Sequence, residues 1–91
     1  MNSELKYVAQ TNMAASMVDG EAVILNLQDG NYYGLNTVGA EVWRCLQEPK
    51  TVSDIVRLIT AQYEVDTETA RQDVIRLLGD LEARHLIKAV P

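Results

Sequence analysis

Hydrophobic and polar positions change period twice along the 91 residues, and each change marks a different kind of element. Up to Leu35 the apolar residues come in short runs broken by turn-forming residues, which is the pattern of strands. Ala22-Val23-Ile24-Leu25-Asn26-Leu27 is nearly all apolar. That suits a strand covered on both faces or one in the middle of a small sheet, and it is taken as the central strand. Asn31–Leu35, carrying Tyr32 and Tyr33, predicts the next strand. Asp29-Gly30 between the two predicts a tight hairpin turn, because Gly supplies the positive φ that two-residue turns need. Leu5–Gln10 predicts a first strand. Thr11–Asp19 shows neither clean alternation nor a helix cap and reads as a connection, with Met13 and Met17 plugging the end of the core. Residues 1–4 read as a frayed terminus.

After Leu35 the period becomes helical. Asn36 or Thr37 is placed to cap a helix from Val38, on which Val38, Val42, Cys45 and Leu46 share a stripe and which Pro49 stops. Thr51-Val52-Ser53-Asp54 has capping-box spacing, and Val52, Ile55, Val56, Ile59 and Tyr63 mark the second helix. Asp66 caps a third, with Ala70, Val74, Leu77 and Leu81 on its inner face. Leu86–Pro91 then reads as an extended tail or short strand. Three strands followed by three helices, the last two joined by Glu64-Val65-Asp66, predict one α+β domain over 1–91: a winged helix-turn-helix with a three-stranded N-terminal antiparallel sheet.

Composition narrows the function classes. A hydrophobic fraction of 47% supports one small core, and 13 acidic against 8 basic residues give a net charge of −5. That charge opposes nucleic-acid backbones and anionic membranes. Cys45 is the sole cysteine, and no secretory signal pattern and no apolar run near the roughly 20 residues of a spanning helix is present. The chain therefore reads as cytoplasmic.

The inventory for catalysis is poor. His85 is the single histidine, placed near the end of the third helix where capping or a surface position is its simplest role. Cys45 lies on an apolar stripe and reads as a small hydrophobe. No metal-ligand spacing and no phosphate-cradling glycine loop occurs, so no enzyme, metal or cofactor is expected. The helix pair resembles a DNA-reading unit in outline only, since the third helix sets Arg71, Arg76 and Arg84 against Glu68, Asp73, Asp80 and Glu82.

A peptide groove is the better reading. One edge of strand Asn31–Leu35 is left free, with no proline to block its backbone groups. On the third helix, stepping by 100° from Ala70 leaves Leu78 near about 80°, Arg71 near about 100° and Ile75 near about 140°, outside the core stripe. An extended peptide fits between such an edge and such a shoulder. The residues leave open whether Ile75 forms that shoulder or completes the core. Tyr32 and Tyr33 must face opposite sides, and Trp43 is expected to pack against the sheet or the second helix.

The runs Val23-Ile24-Leu25-Asn26-Leu27, Gly30-Asn31-Tyr32-Tyr33-Gly34-Leu35-Asn36 and Val38-Gly39-Ala40-Glu41-Val42-Trp43 resemble the PqqD-like family, or RiPP recognition elements. Thr51-Val52-Ser53-Asp54-Ile55 and the last helix ending in Leu86-Ile87 continue the match over about Gly20 to Val90. The likeness is greatest to stand-alone leader-binding proteins of lasso peptide biosynthesis. The turn Gln28-Asp29-Gly30 departs from the more basic or proline-containing turn of the pyrroloquinoline quinone branch. The resemblance implies a non-catalytic adaptor without cofactor. A precursor's leader would add as a strand to Asn31, Tyr32, Tyr33, Gly34 and Leu35 and lie against Arg71, Val74, Ile75 and Leu78. The implied partners are a cysteine protease of transglutaminase-like fold and a macrolactam synthetase acting after it.

Overall fold

The computed structural model describes residues 5–91; the expectation for residues 1–4 lies outside them. The elements run β1 Lys6–Ala9, β2 Met13–Val18, β3 Glu21–Asn26, β4 Tyr32–Leu35, α1 Thr37–Cys45, β5 Lys50–Thr51, α2 Val52–Gln62, α3 Thr67–Ala83 and β6 Ile87–Val90. The fold is α+β: two antiparallel sheets, ordered β2-β3-β4 and β5-β1-β6, pack with three helices in a winged helix-turn-helix arrangement.

The first sheet has three strands, but not the three expected. The segment read as a connection is strand β2, paired with β3 from Met13↔Asn26 to Val18↔Glu21. Its small residues, exposed on both faces after Met13, leave no alternation to detect. What makes it a strand is the turn after it: Asp19 and Gly20 both have positive φ, 54° and 83°, as a type I′ two-residue hairpin requires. Strand β1 belongs to the second sheet, where β6 pairs with it from Lys6↔Val90 to Ala9↔Ile87 and β5 takes its other edge. The C-terminal tail is thus a strand, closing the chain onto its own beginning.

Strand β3 is central, as expected, but its burial alternates, so one face alone is covered. The hairpin after it is wider than a two-residue turn. Asn26 N–H donates to the Asn31 carbonyl at 2.8 Å, enclosing Leu27 to Gly30. The side-chain oxygen of buried Asn26 accepts from Gln28 N–H at 2.9 Å, which satisfies a polar group in the core.

The helix ends follow their sequence signals. Asn36 accepts from Gly39 N–H at 2.8 Å to start α1. Thr51 and Asp54 form the reciprocal capping box of α2, with bonds of 3.0 and 3.1 Å. Asp66 accepts from Glu68 and Thr69 N–H to start α3. That helix ends on His85, left-handed at φ 62°, as Leu86 N–H reaches back to the Leu81 carbonyl at 2.9 Å. The histidine therefore caps through its backbone.

Ile24, Leu46, Ile55 and Leu81 have no exposed surface and mark the centre of a core that joins sheet and helices. Trp43 is buried in it, whereas Val38 is partly exposed and Cys45 half-buried, so the α1 stripe is rotated from the one expected. On α3 the buried residues are Ala70, Val74, Leu78 and Leu81. Leu78 thus takes the core position expected of Leu77. Among the described residues no helix is long and apolar enough to cross a membrane.

Candidate functional site

Strand β4 pairs with β3 alone, from Leu25↔Tyr32 to Ala22↔Leu35, and among the described residues its other edge is unpaired. Because Asn26 and Asn31 form a hydrogen-bonded pair, antiparallel alternation makes Ile24↔Tyr33 and Ala22↔Leu35 hydrogen-bonded pairs too. The N–H and C=O groups of Tyr32 and Gly34 therefore point away from the sheet. Asn31 offers little there, since its N–H donates to the Asp29 carboxylate at 2.9 Å and its carbonyl is taken by Asn26.

Side chains alternate the other way. Tyr33 is half-buried and Leu35 buried on the helix side, while Tyr32 is 73% exposed on the outer face, beside Ala14, Ser16, Val23 and Leu25. The opposition expected of the two tyrosines is what the strand places.

Between β4 and α3 runs a cleft of about 540 Å³. Tyr33, Gly34, Leu35 and Asn36 form one wall, Ala70, Asp73, Val74, Arg76 and Leu77 the other, and Val38, Val42, Ile59, Tyr63 and Val65 complete the lining. Its lining is mainly apolar, with charge on the rim, where Arg76 and Asp73 pair at 3.3 Å. Surface pairs of this kind contribute little to stability, so the rim remains adaptable.

The cleft uses the other flank of α3 from the one expected. Measured from Ala70, Leu77, Asp73 and Arg76 lie at about −20°, −60° and −120°, while Arg71, Leu78 and Ile75 lie at about 100°, 80° and 140°. Val74 alone of the four predicted helix residues lines the cleft. Leu78 is buried at 3% exposure, Ile75 stands 51% exposed away from the cleft lining, and Arg71 is half-buried outside it. Periodicity fixes the centre of the stripe but is symmetric about it, so it cannot say which flank meets β4. Leu77, Val38, Tyr63 and Val65 were missed as wall residues. The sequence pattern marks each as core or connector, and only their shared place in the cleft lining beside β4 gives them another role.

Cys45 sits away from the cleft, near Lys50 and Glu41; burial pushes its thiol up, against the lowering effect of the Lys50 charge. A thiol held protonated is a poor nucleophile. The Asp54 carboxyl is held below its usual range, first by the Thr51 backbone N–H, so its charge serves the α2 cap.

No curated protein matches the chain by sequence. Among solved structures, the one described as "TbiB1 in Complex with the TbiA(beta) Leader Peptide" is 34% identical and superposes with a TM-score of 0.82, covering 89% of this chain and 94% of that one. A second, "Lasso peptide synthetase B1 complexed with the leader peptide", is 24% identical with a TM-score of 0.77, covering 93% and 98%, and supports the fold. The family model described as coenzyme PQQ synthesis protein D (PqqD) matches residues 21–87, the stretch from β3 through β4, all three helices and the start of β6. The chain therefore belongs to the PqqD family.

Proposed function

We propose that this protein is a non-catalytic adaptor that captures the leader segment of a ribosomally made precursor peptide, a lasso precursor, and presents it to a separate leader peptidase. The leader adds as a strand to β4 and lies in the cleft against α3. The observation that carries this reading is the coincidence of an unpaired strand edge with an apolar cleft beside it. Tyr32 and Gly34 offer backbone donors and acceptors outward, and alternate peptide side chains would then fall beside Tyr33 and Leu35 in the cleft. Affinity comes from the backbone pairing, and selectivity from what the cleft accepts. The 34% identical relative, whose description places it with a leader peptide, supports the choice of ligand.

The test is a fluorescence-anisotropy titration with labelled leader halves of lasso precursor peptides, using random duplex DNA as control. Saturation at or below micromolar concentration with no response to DNA is expected. Binding to DNA without binding to the leader would refute the adaptor and favour a winged-helix regulator.

A further inference from the structure

A second, smaller pocket of about 250 Å³ adjoins the cleft and shares Tyr33 with it; Asp29, Asn31, Arg84 and His85 are among its lining residues. Arg84 holds its guanidinium over the Tyr33 ring, 4.8 Å from the centroid. The ion pairs among the described residues engage Arg44, Lys50, Arg57 and Arg76, and none includes Arg84. Asp80, one turn earlier on α3, and Asp29 across the pocket both stay outside ion-pair distance of it. The Asp29 carboxylate instead accepts the Asn31 N–H within its own loop. A planar, permanently charged fork is thus parked on an aromatic face, where stacking holds its plane while its N–H edges stay available.

We propose that this pocket is a carboxylate subsite: Arg84 receives an acidic side chain of the bound peptide. The inference rests on the strand-addition reading and deepens it, because pairing with β4 fixes which peptide residue arrives there. Inward-facing side chains fall opposite Leu35, Tyr33 and then Asn31. The first two meet apolar walls, and the third meets Arg84 and His85. The ligand class is therefore an extended peptide with two apolar side chains at alternate positions and, at the next inward position beside Asn31, Asp or Glu. A protein of net charge −5 repels such a peptide at long range, so a local cation outside the ion pairs of the described residues is what makes an acidic residue acceptable. Arg suits the task better than Lys, since a bidentate carboxylate contact can form without losing the ring.

The experiment is a charge cycle by anisotropy. Wild type, Arg84→Gln and Arg84→Lys are titrated with the leader and with leaders in which each acidic residue is changed singly to Gln, with circular dichroism checking the fold of each variant. Arg84→Gln is expected to weaken the leader about five- to tenfold, in line with a partly exposed charge-assisted contact. One particular acid-to-Gln leader should lose the same factor on wild type and nothing further on Arg84→Gln, and Arg84→Lys should recover part of the loss. Arg84→Gln binding the leader within twofold of wild type, or additive losses for every acidic position, would overturn the subsite and leave the adaptor reading standing. A wild-type protein that does not bind the leader at all would remove both.

Discussion

Two leucine-sized side chains on α3 separate the possible peptide walls. Leu77 is half-buried and lines the cleft, while Ile75, two residues earlier, is 51% exposed and does not. Burying a whole Leu side chain contributes about 1.5–3 kcal/mol, and Leu77, already mostly covered, has at most roughly a third of that left to gain when a peptide covers it. Leu77→Ala should therefore cost about 0.5–1 kcal/mol of binding, about a two- to fivefold rise in Kd for the leader. Ile75→Ala removes a similar volume from a more exposed position on the same helix, outside the cleft lining, so it is the control for a substitution that touches no cleft contact. Its Kd should stay within about twofold of wild type. Both are measured by anisotropy on protein whose thermal transition has been recorded, with titration well below Tm. A larger effect at Ile75 than at Leu77 would refute the assignment of the cleft to the Asp73–Leu77 flank and restore the opposite shoulder.

Other substitutions probe the backbone and the caps. Gly34→Pro removes an outward N–H while leaving the β3 ladder intact, and a Cβ there meets open space. The fold should survive, because proline is tolerated at an edge, yet leader affinity should fall by about tenfold or more. Thr51→Ala should lower stability by about 1 kcal/mol in urea unfolding, through loss of the α2 cap. The Asp54 carboxyl is held below the usual value of 3.8 when folded, so its stabilising effect is present above the unfolded value and is lost as pH falls through the folded one. Acid titration of unfolding should accordingly show wild type converging on Asp54→Asn as pH drops below about 4. His85→Gly should raise stability by about 0.5–1 kcal/mol, because the C-terminal cap of α3 needs a left-handed residue and glycine adopts it without strain.

The sequence by itself determined what depends on near neighbours along the chain. Asn36, Thr51 and Asp66 announce the three helix starts because a cap is a bond between residues two or three apart. The central position of β3 and the opposed faces of Tyr32 and Tyr33 follow from the apolar run and the strand period, and the ordered runs from Val23 to Trp43 carried the family. Pairing was decided elsewhere. Strand β2 exists because a type I′ turn folds six unremarkable residues onto β3, and β1 joins the second sheet because β6, some eighty residues later, meets it. The candidate site divides in the same way: the β4 edge was legible, and the helix wall was not. A 3.6-residue period names the buried stripe of α3 but treats its two flanks alike. Only the packing of that helix on α2 and β6, across a cleft from β4, makes Leu77 a wall, sends Leu78 inward and brings Arg84 onto Tyr33. Contacts between distant segments are set by the packing of the whole core, which no local window contains.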